Sequence, residues 1–187
     1  MSNENIRRLG DLPAIANQYS GRLLIMGGAR CVWDDLEAVG EFNGDKMAIN
    51  DIGSHYHGYI RHWVTLHPAY MKGWMSYRMG HNYGNRGHVQ THSFHRHPDI
   101  QHHWQIEEIG GSSGLAGILI GLLLGYSEIV LAGIPMDGSG HYFDPVKGKS
   151  GLVGSGHEQP WFWCRDNVFA GRVKSMSGKT AEWLGKP

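Results

Sequence analysis

The stretch GGSSGLAGILIGLLLGYSEIVLAGIPMD, residues 110–137, decides how this chain is read. Gly110, Gly111 and Gly114 surround two serines, Ser112 and Ser113. An apolar run over 115–124 follows, interrupted only by Gly117 and Gly121. After Gly125 comes Glu128-Ile129-Val130-Leu131-Ala132, which stops at Gly133. A glycine-serine turn, a buried helix and a short continuous apolar strand make one unit of a parallel sheet. The helix start has a chemical consequence. Its first N–H groups lack intrahelical acceptors and carry partial positive charge, so they attract an anion. Ser112 or Ser113 caps the helix, and either hydroxyl can bond a phosphate. Gly117, Gly121 and Gly125 recur every four residues and leave a bare stripe that lets the helix lie close to a sheet. The Lys-Ser/Thr ending of a P-loop is missing.

Working outward, Arg22-Leu23-Leu24-Ile25-Met26 is a second apolar run, ending in Gly27-Gly28. Residues 32–39 suit a helix, with Asp34 and Asp35 in its first turns. Residues 46–49 read as a strand ending at Asn50-Asp51, and 59–66 as another ending at His67-Pro68. Residues 1–20 read as a leader helix or irregular arm. Residues 161–170 read as a helix, 172–175 as a last strand and 178–184 as a closing helical turn. Residues 69–109 are rich in His, Gly, Arg and aromatics, with weak periodicity. They read as an excursion over a short strand or two, serving as a lid or in association. Short apolar strands alternating with helices predict an α/β fold. The expected form is a Rossmann-like three-layer domain over residues 1–187, with a mostly parallel sheet. In such sheets ligands bind outside the carboxyl ends of the strands. Gly27-Gly28, Asn50-Asp51, His67-Pro68 and residues 133–137 should therefore converge on one crevice.

The 187 residues suffice for one domain with a real core, and 17 basic residues balance 17 acidic ones. That balance gives no general drive toward nucleic acid or a membrane surface. The run over 115–124 is too short to span a bilayer, which takes roughly 20 residues. With only Cys31 and Cys164, no CxxC site or secreted disulfide framework is indicated. No apolar signal-peptide core follows Met1, so a cytoplasmic location is expected.

Several polar groups are candidates for a site. Gly27 and Gly28 allow backbone to approach a ligand, although GxGxxG is absent. Asn50 and Asp51 either read a base or ribose hydroxyl, or close the strand as an Asx turn. The loop Asp137-Gly-Ser-Gly-His141-Tyr142-Phe143-Asp144, with His157 beyond it, offers a general base and a phenol. Histidines cluster at 55/57, 92/95/97 and 102/103. They lack HExxH or finger spacing and interleaved acids, so they read as polar loop groups in a surface compatible with oligomerisation rather than as a metal site.

The segment from Ser113 to Asp137, followed by His141-Tyr142-Phe143, resembles the bacterial sialyltransferases of the Campylobacter type and the related DUF115-like, Rossmann-like proteins. The shared pattern is a serine-led helix ending in LGY and a strand ending before an aromatic loop. The first strand with its Gly turn, and Asn50 after the second, keep the same order. Small phage-encoded proteins look similar, and for a phage-encoded member the expected cytoplasm is the host's. The resemblance implies a metal-independent transferase with no cofactor, using a nucleotide-sugar donor as substrate. It implies nucleotide contacts from Gly27, Gly28, Asn50, Ser112, Ser113 and Gly133, with Gly111, Asp51 and Asp137 beside them. Tyr142 would face the phosphate, and His157 or His141 would be the base. Two other readings compete: a non-catalytic protein that sequesters a nucleotide, and a histidine-metal hydrolase or nuclease. A homo-oligomer is compatible with all three.

Overall fold

The computed structural model describes residues 3–84, 88–110, 112–144 and 157–187. Among them seven strands form one sheet in the order β5-β4-β3-β2-β1-β6-β7. These are β1 (Arg22–Met26), β2 (Asp45–Ile49), β3 (His62–Val64), β4 (Gln90–Ser93), β5 (His102–His103), β6 (Glu128–Ala132) and β7 (Val173–Ser175). Every neighbouring pair is parallel. The helices are α1 (Val32–Val39), α2 (Ile52–His55), α3 (Met71–Gly80), α4 (Ser113–Leu124), α5 (Glu158–Cys164) and α6 (Gly178–Leu184). The expected Rossmann-like α/β fold is the one observed. Among the described residues no helix is long and apolar enough to cross a membrane.

Side-chain alternation divides the core in two. Leu23, Ile25, Met47, Ile49, Ile129 and Leu131 face α4. Leu24, Met26, Ala48, Val130 and Ala132 face the opposite layer, with Val32 of α1, Ile52 of α2 and Met71 of α3. Helix α4 is apolar all round because it is covered on both sides. The sheet lies below it, and Trp161, Cys164, Val168 and Phe169 belong to the cover on its other side. Its glycines explain how close it lies. A Cβ on Gly117 would come 2.5 Å from Ile49 Cδ1, and one on Gly121 would come 2.8 Å from Leu23 Cδ2.

The end of α4 shows what the N-terminal arm does. Gly125 closes the helix in the left-handed region at φ 110° and donates to Leu122 O. The carbonyls of Leu123 and Leu124 accept from the backbone N–H groups of Asn17 and Tyr19, each at 2.9 Å. The arm thus satisfies acceptors that a buried helix end would otherwise leave orphaned. Gly121→Ala tests this close packing. Its helix-propensity gain of about 1 kcal/mol is outweighed by overpacking against Leu23 and Ile129, giving a net loss of about 1–2 kcal/mol in urea unfolding.

Residues 69–109 contribute α3 and two strands to the sheet. Their weak periodicity has a physical cause. Val64, His92 and His102 lie in register across β3, β4 and β5 on the α4 side, one row from His62 and Gln90. This half of the sheet buries histidines where β1 and β6 bury aliphatics, and hydrogen bonds replace apolar contact. Trp104 Nε1 donates to His92 Nδ1 at 3.1 Å. An indole only donates, so His92 carries its proton on Nε2 and gives it to His62 Nδ1, 3.0 Å away. His62 Nε2 then donates to Tyr126 Oη at 2.9 Å, and Tyr126 donates to Asp45 Oδ2 at 2.6 Å. The reading of the histidines as loop groups fails for His92, which is fully buried. Among the described residues, no group of three or more His, Cys, Asp or Glu is placed to hold a metal ion.

Candidate active site

The sheet changes direction between β1 and β6. Successive strands from β1 run one way to β5, whereas β6 lies on the other side of β1. Loops leaving β1 and β6 therefore diverge, and ligands of open parallel sheets sit at such a point. A crevice of about 710 Å³ opens there, continuing into a recess of about 130 Å³. Asn50, Asp51, His67, Ser112, Ser113, Met136, His141 and His157 line the larger part, with Tyr70, Trp74 and Phe143. Gly27, Gly28, Gly114 and Gly133 line the recess. The four predicted strand ends do converge, since each contributes to one or other space.

The start of α4 has two serines with different tasks. Ser112 is the N-cap, and its Oγ accepts from Leu115 N at 3.4 Å. Ser113 is the first helical residue. Its hydroxyl has no protein partner among the described residues, and its N–H and that of Gly114 precede the first intrahelical bonds. Gly111 lies outside the described residues.

The glycines also divide. Gly27 and Gly133 face each other, and a Cβ on either would come within 2.5 Å of the other's carbonyl oxygen. Gly133 also has φ +67°, so both are demanded by packing as well as by any ligand. A Cβ on Gly28 would make only ordinary contacts with Asp51, His141 and Tyr142. What glycine preserves at 28 is open space.

The loop after β6 folds back onto the turn after β1. Arg30 N donates to Gly140 O, Tyr142 N donates to Gly28 O, and the Arg30 guanidinium donates to Asp144 O. Asp137 is exposed and closes its own turn by accepting from Ser139 N at 2.9 Å. On α1, Asp35 is buried and accepts from Gly133 N and Ser177 Oγ, each at 2.8 Å. Its part in holding the end of β6 is invisible in sequence, where it reads as a helix-start acid.

Two histidines have tautomers set by their partners. His141 Nδ1 lies 3.2 Å from Gly28 O, and His157 Nδ1 contacts Gly110 O. A carbonyl only accepts, so each Nδ1 carries the proton. Each neutral ring then has its lone pair on Nε2, as a general base needs.

Tyr142 is placed otherwise than expected for a phosphate contact. Its hydroxyl donates to Asp51 Oδ2 at 2.8 Å. Burial, with the Asp51 carboxylate adjacent, raises the phenol well above its ordinary value and keeps it a donor. Its ring lines a separate groove of about 660 Å³ between α1 and residues 55–58, with Trp33, Lys46 and His55 among the walls. The neighbouring Phe143 and His141 rings, stacked with centroids 5.1 Å apart, face the crevice instead. His67 lies there as the predicted end of the third strand, whereas sequence reasoning missed Tyr70 and Trp74. Their one signal was an aromatic-rich segment starting directly at a strand end.

No family model matches the chain, and no curated protein matches it. Solved structures do. The fold is similar to that of a Campylobacter sialyltransferase. The sialyltransferase CstII from Campylobacter jejuni, in complex with the substrate analogue cytidine-5'-monophosphate, superposes with a TM-score of 0.61 at 11% identity. That match covers 88% of this chain and 84% of the other. A complex of the sialyltransferase CST-II with a trisaccharide acceptor and CMP gives 0.61 at 10% identity, covering 88% and 85%. CstII with CMP-3FNeuAc gives 0.57 at 11%, covering 88% and 85%. At such identities the likeness is one of fold.

Proposed function

We propose that the crevice binds a nucleotide sugar and that the chain is a glycosyltransferase-like enzyme working without a metal. The observation that carries this reading is the exposed start of α4. Ser113 and Gly114 offer free N–H groups, and Ser113 a hydroxyl, at the switch point of the sheet. A phosphate there meets the positive end of the helix, while Asn50 and the aromatic wall of Trp74 and Phe143 contact the nucleoside or sugar. The similar structures bind CMP and its analogues, which supports a nucleotide as the ligand.

Transfer needs an acceptor hydroxyl to attack the anomeric carbon as the bond from that carbon to the phosphate oxygen breaks. The hydroxyl proton goes to Nε2 of His157 or His141. The electron pair of the broken bond stays on the nucleotide phosphate, where the α4 N–H groups stabilise it. Both rings line the crevice, and both hold the required lone pair.

The test is thermal unfolding with CMP, other nucleoside mono- and diphosphates, and CMP-activated sugars. At 100 times Kd, binding adds about 2.7 kcal/mol, which is a rise of about 5–10 °C for a chain of this size. No shift with any of them would sink the reading. Transfer or hydrolysis of the sugar nucleotide should fall by at least about 100-fold in either His157→Gln or His141→Gln. Unchanged affinity with no turnover in the wild type would leave a nucleotide-binding protein without catalysis.

A further inference from the structure

Thr65, one residue beyond β3, is fully buried, and its hydroxyl makes two hydrogen bonds. The backbone N–H of His67 donates to its hydroxyl oxygen at 2.8 Å, and the hydroxyl donates to Asn50 Oδ1 at 2.8 Å. A hydroxyl has one proton, and a buried one needs an acceptor for it. Asn50 Oδ1 is that acceptor. Turning the amide over would present Nδ2, a second donor, and leave the Thr65 proton with none among the described residues. The orientation of the Asn50 amide is therefore set by Thr65.

The rest of Asn50 is also engaged. It sits in the left-handed region at φ 55°. Its N–H donates to Val64 O at 3.0 Å, and its carbonyl accepts from Trp63 Nε1 at 2.6 Å. The amide Nδ2 is what remains without a protein partner among the described residues. Asn50 lines both parts of the crevice.

We propose that Thr65 is a positioning residue that sets the hydrogen-bonding polarity of the crevice. It turns the Asn50 amide so that a donor faces the ligand, and the ligand atom met there is a carbonyl or phosphoryl oxygen. The ligand half of this statement rests on the nucleotide reading; the positioning half does not. Thr65 also holds the backbone of His67, so it orders two residues of the crevice without touching it.

The experiment combines CMP titration calorimetry with the side-chain carbonyl carbon resonance of Asn50 in the free protein. Thr65→Val is expected to weaken CMP binding about tenfold and to shift that resonance. Thr65→Ser keeps the hydroxyl and should restore both, with affinity within about threefold of wild type. Asn50→Asp should bind CMP more weakly than Asn50→Ala, because a carboxylate then opposes the ligand oxygen. These two Asn50 variants decide the matter should Thr65→Val not fold. If wild type ignores CMP while the resonance shifts in Thr65→Val and not in Thr65→Ser, the nucleotide reading fails and the positioning role stands. Thr65→Val binding CMP as wild type does, Asn50→Asp binding as tightly as wild type, or an unmoved Asn50 resonance would overturn the proposal.

Discussion

Ser113→Glu is expected to lower CMP affinity by at least about 100-fold and to leave the melting temperature of the free protein unchanged or slightly higher. Ser113 is the first helical residue of α4 and lines the crevice. An acid in the first turn of a helix is favourable by about 0.3–1 kcal/mol, so the fold tolerates it. The same charge about 5 Å from a phosphate is repelled by roughly 3 kcal/mol per unit charge at an effective dielectric of about 20. That alone is a factor of more than 100. Ser112→Ala is the contrasting control: it removes the N-cap bond to Leu115 and costs about 1 kcal/mol of stability. Calorimetric titration and thermal unfolding of both variants separate cap from ligand site. A Ser113→Glu protein that binds CMP like wild type would remove the phosphate from this helix start.

Acid should unfold the protein well before its carboxylates are fully protonated, and His62 and His92 should be the reason. Burial pushes His62 down from 6.5 to about 3, and burial likewise pushes His92 well below its ordinary value. Between about pH 6.5 and 3 the unfolded chain binds a proton at His62 that the folded chain refuses. Stability is thus fully present above about 6.5 and lost as pH falls toward 3. The slope is about 1.4 kcal/mol per pH unit for each such histidine. A fall from pH 6 to 4 then removes about 3 kcal/mol through His62 alone, and His92 acts in the same direction. His62→Leu exchanges one cost for another. At pH 7.5 it loses about 3 kcal/mol, since His92 Nε2–H and Tyr126 Oη lose their partner. Below pH 6 its stability should fall less steeply than wild type. Urea unfolding at a series of pH values reads both effects, and an unaltered slope in the variant would contradict the assignment.

Parts of this fold were legible and parts were not, and the difference lies in how each strand satisfies burial. β1 and β6 bury aliphatic side chains on both faces, so they appear as continuous apolar runs. β3 reads His62-Trp63-Val64 and β4 reads Gln90-Thr91-His92-Ser93. Their burial depends on Trp104, Tyr126, Asp99 and Gln101, partners that lie beyond the strand in sequence. No local periodicity encodes such pairings. Helix α3 is similar: among its residues only Met71 and Arg78 are buried, and the Arg78 guanidinium donates to the carbonyls of Gly53 and Gly58.

The candidate site divides along the same line. The sequence from Gly110 to Asp137 by itself determined that a serine-led helix precedes an apolar strand, and hence that backbone N–H groups without intrahelical acceptors stand at the helix start. Local patterning suffices there because capping residues, glycine spacing and strand length act over a few residues. The order of the strands, and with it the convergence of Asn50, His67, Ser113, His141 and His157, is a tertiary property. So are the turning of Tyr142 toward Asp51 and the hold of Thr65 on Asn50. Each of these is a directional hydrogen bond between residues far apart in the chain or on different strands. Donor and acceptor are assigned only once both groups are brought within about 3 Å, which no spacing along the chain specifies.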